Sequence, residues 1–332
     1  MVYPKTSSMR FGIQLSMRQN TTKDWDEMKA AALDCERLGY DSIWFTDHLT
    51  DYRYECWTIL SAISQVTSRT RLGTIVLCNN FRNPALLAKM GATLDVISKG
   101  RLDFGIGAGW HKDEHEAYGF GDFPSPRVRV AMLREGVEII KKMWTESKAS
   151  FKGKHYIVKE AICEPKPVQK PHPPIMIGGG GERLTLKVVA ACADKWNYMG
   201  SLEQYKHKLS VLEKHCKQLG RDPQEIEKTF FSSLDVYLNE DELLRDMKEI
   251  YGMSYGGRNQ VRDLPFEEWL ENLQSRSIVG SPEMCIKRIR EFKDLGVTNF
   301  IFRSVRPIPN LKKRRKNIKT LAEEVISQIK TD

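Results

Sequence analysis

Short β-type runs alternate with amphipathic helical stretches eight times along this 332-residue chain, and that alternation restricts the fold more than any single motif does. The runs are RFGIQLS, DSIWFTD, RLGTIVLC, RLDFGIG, PIMIGG, KWNYMGS, EKTFFSSLDVYL and NFIFRS. Helical periodicity fills the spaces between them. It covers about 22–38, where Gly39 stops it in the usual C-terminal place, and 57–66. Pro84 opens the next helix at its first turn, and VAMLREGVEIIKKMW carries another to Trp144. Further helices are expected over about 182–193, through Lys217, from the Ser281 cap to Gly296, and in the C-terminal NIKTLAEEVISQIK. Eight β/α pairs predict an α/β fold of the TIM (β/α)8 barrel type with insertions, and residues 1–332 show no linker that would divide a single domain. A doubly wound open sheet is the runner-up, although it normally needs fewer strands or a second domain. Three stretches stand outside the alternation. Residues 108–126 form an insertion, and ASFKGKHYIVKEA reads as a small hairpin before a proline-rich connector. Residues 239–279 look irregular and polar, and GMSYGG within them reads equally as a mobile cover or a disordered surface loop.

Composition removes several classes of function. At 41% hydrophobic and 29% charged, the chain can bury a sizeable core and is not a disordered polymer. No apolar run approaches the ~18 residues that span a bilayer. The opening MVYPKTSSMRFGIQL lacks the apolar centre of a signal peptide, so a cytoplasmic location is expected. Seven scattered cysteines without a C-x-x-C read as reduced thiols. The net charge of +9 suits nucleic acid or an acidic small molecule. The densest basic run, KKRRK at 312–316, reads as a solvated helix start, and no aromatic-interleaved basic stripe accompanies it. The expected partner is therefore a small-molecule substrate.

In a TIM barrel the chemistry sits at the C-terminal ends of the strands. Those ends here carry Asp47-His48, Cys78-Asn79-Asn80, Gly107-Ala108-Gly109-Trp110, Gly178-Gly179-Gly180-Gly181 and Met199-Gly200-Ser201. Four glycines before a helix headed by Glu182 leave backbone N–H groups unobstructed at a helix N-terminus, which favours an anion such as a ligand phosphate. No Gly-Lys-Ser/Thr follows, so this is not a P-loop, and GIGAGW misplaces the third glycine of a dinucleotide fingerprint. His48 can donate or accept a proton near neutrality. His111, Glu114 and His115 spell H-x-x-E-H, a zinc signature that requires a helix and a third ligand. The segment WHKDEHEAYGFGDFPSP is short and broken by glycine and proline. The expectation is a rim loop without metal, one that contributes Asp113 or Glu114 to a ligand.

Four stretches together resemble the luciferase-like flavin and deazaflavin oxidoreductases. They are GYDSIWFTDHL, RLGTIVLCNNFRNPALLAKMGATLDVISKGRLDFGIGAGW, PHPPIMIGGGGERLTLKVVAACADKWN and SPEMCIKRIREFKDLGVTNFIF, and they cover nearly the whole chain in order. The resemblance implies a TIM barrel that binds a flavin-type cofactor at the C-terminal rim. The Asp-His after the second strand is similar to the branch using the deazaflavin coenzyme F420, whereas FMN members more often have a Glu followed by two histidines. It implies hydride transfer at the deazaflavin C5. FMN-dependent monooxygenases and methylenetetrahydromethanopterin reductases remain the alternative branches. Carried over by position, Asp47 would contact the deazaflavin ring and His48 would give or take the proton. Ile75-Val76 would hold the family's non-prolyl cis peptide behind the ring, and Cys78 would line its pocket. Ala108, Gly109 and Asp113, with Gly179, Gly180, Gly181 and Glu182, would hold the phosphate and tail. Trp110 stands where deazaflavin-dependent sugar-phosphate dehydrogenases keep a catalytic Glu, which argues against glucose 6-phosphate and makes Trp110 a wall of the substrate pocket. Relatives are often homodimers, and the same is expected here.

Overall fold

The computed structural model describes residues 8–15, 22–50, 54–252, 264–304 and 311–331. Eight parallel strands close on themselves. They are β1 (Arg10–Gln14), β2 (Ser42–Phe45), β3 (Arg71–Thr74), β4 (Leu102–Gly107), β5 (Ile175–Gly178), β6 (Lys195–Tyr198), β7 (Glu227–Val236) and β8 (Val297–Arg303). Each pairs with the next, and β8 returns to β1 with Phe11 opposite Phe300. Closure excludes the open doubly wound sheet, whose two edge strands would be left without a neighbour. The long expected strand at 71–78 is divided. β3 stops at Thr74, the Ile75–Val76 peptide bond is cis, and Leu77–Cys78 resumes pairing against β4.

The connecting helices start where their caps dictate. The Asn83 side chain accepts the Ala85 N–H ahead of Pro84 (2.9 Å), and Ser201 and Gln204 form a reciprocal capping box on Leu202–Gln218. Ser281 accepts from Met284 N at the head of Pro282–Asp294. Apolar helix faces pack on the outside of the barrel, where Leu72, Phe104, Ile106 and Trp144 are fully buried. Inside it lie Trp44, Ile75, Met176 and Ile301. Trp44 fits because its strand neighbours carry no side chain. A Cβ on Gly12 would lie 2.5 Å from the indole Nε1, and one on Gly73 2.1 Å from its ring.

At the strand starts, opposite the rim, charged side chains join five strands. Arg71 forms two hydrogen bonds with Asp103 (3.0 Å each), Lys195 reaches Asp103 (2.8 Å) and Glu227 (3.4 Å), and Arg10 pairs with Glu227. Burial alone would raise the Asp103 carboxyl, but Arg71, Lys195 and Arg10 outweigh it and hold it well below the usual carboxylate range.

The 239–279 stretch differs from its irregular reading. It contains helices Glu240–Gly252 and Phe266–Arg276 and the short strand Ile278–Gly280 beside β7. Leu243, Met247 and Ile250 recur at helical spacing and close over Tyr237, Trp269 and Val279. The many charges between them conceal that stripe. GMSYGG from residue 253 onward lies outside the described residues. The KKRRK run meets acids of its own chain: Arg315 pairs with Asp34, Lys316 with Glu242 and Lys313 with Asp246. Among the described residues no helix is long and apolar enough to cross a membrane.

Candidate active site

The C-terminal ends of β2 to β6 converge on one rim, and the side chains there are tied to each other across long sequence distances. Asp47 follows β2 with its side chain fully buried. Its carboxylate accepts two hydrogen bonds from Arg82 (2.7 and 2.9 Å) and one from the Cys78 N–H (3.0 Å), and Arg82 continues to Glu55 (2.7 Å). These bonds fix the Cys78 segment to the end of β2, with Oδ2 accepting two of them and Oδ1 one. Burial pushes the Cys78 thiol up to about 12, so it serves as an apolar wall and not as a thiolate.

His48 is next, with a quarter of its side chain exposed. Its Nδ1 lies 3.0 and 3.1 Å from the two oxygens of Glu114, whose side chain is 3% exposed. Glu114 also accepts from the Leu49 N–H and the Thr50 hydroxyl, each at 3.2 Å. Burial would raise this carboxyl, but His48, His111 and Thr50 outweigh it and hold Glu114 below its ordinary value. Trp110 is 56% exposed, and its ring stands edge-on to His48 at 5.7 Å and 4.8 Å from His111.

The H-x-x-E-H segment is helical after all. Lys112–Ala117 forms a short helix, and the His111 Nδ1 accepts the Glu114 N–H at its start (3.3 Å). The three motif side chains nevertheless diverge. His111 caps, Glu114 turns to His48, and His115 is buried between Phe120 and Phe123 at 5.6 and 5.3 Å. Among the described residues no group of three or more His, Cys, Asp or Glu side chains is placed to hold a metal ion. Asp113 is exposed on the first turn of this helix.

Val76 fills the space between the ends of β4 and β5. A Cβ on Gly107 would lie 2.9 Å from one of its methyls, and one on Gly178 3.0 Å from the other. Ala108 follows, half-buried, and Gly109 takes a φ of +74° with its missing Cβ 2.5 Å from the Cys78 sulfur. Arg129 donates to the Gly109 carbonyl (3.1 Å) and lies over Phe123, so it joins the rim to the insertion. Sequence reading missed Arg82 and Arg129. Arg82 sits in NNFRNP, where a cation beside the buried Asp47 was the available signal.

The glycine run proves only partly open. Gly179 donates to Asn197 O (3.0 Å) with φ +133°, and a Cβ on Gly180 would lie 2.4 Å from the Tyr198 ring. Among the described residues no protein acceptor is aligned on the Gly180 or Gly181 N–H. The following helix begins at Thr185, three residues later than expected. Glu182 is strapped back to helix Leu202–Gln218. Its carboxylate meets His207 (3.0 Å) and Lys208 (2.5 Å), and its carbonyl accepts from His215 (2.8 Å).

A closed parallel barrel whose strand-end rim carries a carboxylate-paired histidine, an apolar floor and glycine amides that meet no acceptor among the described residues has the layout of a TIM-barrel enzyme site. The sequence model of the luciferase-like monooxygenase family matches residues 9–299. This chain belongs to that family. It is similar to the F420-dependent glucose-6-phosphate dehydrogenase of Segniliparus rotundus, at 27% identity over 89% of this chain and 91% of that protein. The enzyme of the same description from Kineococcus radiotolerans is 30% identical over 82% and 85%. In fold, the chain superposes on an F420-dependent secondary alcohol dehydrogenase in complex with an F420–acetone adduct, with a TM-score of 0.76 and 23% identity over 96% and 99%.

Proposed function

We propose that this chain is an oxidoreductase that passes a hydride between the deazaflavin coenzyme F420 and a small organic substrate. The observation that carries the reading is His48, held on the rim through Nδ1 by Glu114 and standing edge-on to Trp110. Likeness to two F420-dependent dehydrogenases, over 89% and 82% of this chain, supports it. When bound, the coenzyme supplies a carbon centre that accepts or gives a hydride. Everything else falls to the chain. The Gly180 and Gly181 amides, which meet no acceptor among the described residues, bind the anionic part of the coenzyme. Val76, seated between Gly107 and Gly178, supports the flat ring from behind. Asp47 and Arg82 keep the Cys78 wall in place. His48 gives or takes the proton at the substrate oxygen through Nε2. Trp110 walls the substrate side, and a neutral indole there disfavours a sugar phosphate.

The experiment is a pair of titrations on the purified protein, coenzyme F420 and FMN side by side, followed by fluorescence quenching. Tight binding of the deazaflavin with weak binding of FMN is expected. The reverse, with a protein that is yellow as purified and takes up oxygen on adding substrate, would establish the second reading, an FMN monooxygenase, which the family's description favours.

A further inference from the structure

We propose that Glu114 is the positioning residue of the site, and that it keeps the proton of neutral His48 on Nδ1 so that the lone pair of Nε2 is presented to substrate. The inference rests on the assignment of His48 to proton transfer, but its test does not need a substrate or a coenzyme.

Glu114 has the geometry for this and little freedom to do anything else. Both of its oxygens lie within 3.1 Å of Nδ1, and Oε1 also accepts from the Leu49 amide and the Thr50 hydroxyl. An ionised carboxylate accepts only, so the hydrogen between the two groups belongs to the imidazole. Nδ1–H therefore donates, and Nε2 is the nitrogen left with a lone pair. When Nε2 takes a proton, the charge forms beside a buried carboxylate, which stabilises it in place. The carboxylate is itself held from three sides. The peptide N–H of Glu114 is capped by His111, and its side chain is tied to two successive residues after His48. A carboxylate held this way cannot swing out to a ligand.

The other charged and titratable groups around His48 do not compete for Nδ1. Asp47 is paired with Arg82 and the Cys78 amide, Arg82 is shared with Glu55, and the Cys78 thiol stays protonated. His111 stands 6.2 Å from His48 between ring centres, with its own Nδ1 used as a helix cap. The zinc-like spelling of the segment thus has another physical content. The residue three places after a capping histidine reaches across the rim to a second histidine, 66 residues earlier in the chain.

Nitrogen NMR on protein labelled with ¹⁵N-histidine tests this directly, because the shifts of Nδ1 and Nε2 report which one carries the proton. His48→Ala identifies the resonances. In the unaltered protein at pH 8, His48 is expected almost wholly as the Nδ1–H tautomer. In Glu114→Gln, whose amide can donate as well as accept, a substantial Nε2–H population is expected. Nε2–H in the unaltered protein, or an unchanged tautomer in a folded Glu114→Gln variant, would overturn the proposal. If the amide variant fails to fold, Glu114→Asp carries the test. The shorter carboxylate draws back from Nδ1, and a mixed tautomer is expected, whereas a pure Nδ1–H form would overturn it. A kinetic readout follows once a substrate is known. Glu114→Gln is expected to lower kcat by about 10-fold or more with KM for the coenzyme unchanged, and Glu114→Asp to recover part of it. Loss of turnover in the unaltered protein would count against the proposed function and leave the tautomer result standing.

Discussion

Replacing Asp103 by Asn tests what holds the closed end of the barrel. The side chain is 1% exposed and accepts three charge-assisted hydrogen bonds, two from Arg71 and one from Lys195. The asparagine keeps the shape and removes the charge. Arg10, Arg71 and Lys195 then face Glu227 as the one remaining anion of the group. Removing one partner of a buried ion network costs about 3–5 kcal/mol, because the charges left behind have already lost their water. With an unfolding entropy of about 2.1 cal/mol/K per residue, a chain of this length loses about 0.7 kcal/mol for each degree. The melting temperature is therefore expected to fall by about 4–7 °C at pH 7. The pH dependence has a definite sign. The folded carboxyl lies below its unfolded value of about 3.9, so its contribution is complete above that pH and is lost as pH falls further. The gap between the two proteins should be full at pH 7 and close below about pH 4. Scanning calorimetry across that range decides it. A gap under about 1 °C at pH 7, or one that widens on acidification, would refute the reasoning.

Three further outcomes are expected. His48→Ala should slow turnover by about 100-fold with coenzyme affinity nearly unchanged, and an unaltered kcat removes His48 from the chemistry. Gly180→Ala drives a methyl into the Tyr198 ring and should cost about 1–3 kcal/mol of stability as well as coenzyme affinity. The double variant Gly180→Ala/Tyr198→Ala separates the two effects. If stability and affinity return together, the glycine serves packing alone and the phosphate site lies elsewhere. Cys78, buried and with its thiol pushed up to about 12, should resist alkylation by iodoacetamide at pH 8 in the folded protein, and rapid labelling shown by peptide mass analysis would contradict that environment.

The fold was legible because its signal is local and repeated. Each β-run with its following helix carries its own periodicity, and a cap such as Asn83 before Pro84 acts within four residues. The same locality explains the misreading of 239–279. There the apolar stripe of Leu243, Met247 and Ile250 becomes meaningful only once Tyr237, Trp269 and Val279 lie under it. The site was legible as a set of strand ends. His48, Val76, Cys78, Gly109 and Trp110 do share one rim, because strand direction alone decides which end of each run faces the same way.

What those residues do to each other could not be read along the chain. Asp47 meets Arg82, 35 residues on, and Glu182 meets Lys208 on a neighbouring helix. In the glycine run Gly178 is packed on Val76 and Gly180 on Tyr198, and the Gly180 and Gly181 amides meet no acceptor among the described residues. Sequence by itself determined the eight-fold alternation, the barrel it closes into, and the residue types on the rim, since each follows from spacing within a few residues. Tertiary structure alone decided that Glu114 turns toward His48. That choice depends on hydrogen-bond geometry of about 3 Å between groups 66 residues apart, and no local pattern encodes a distance of that kind.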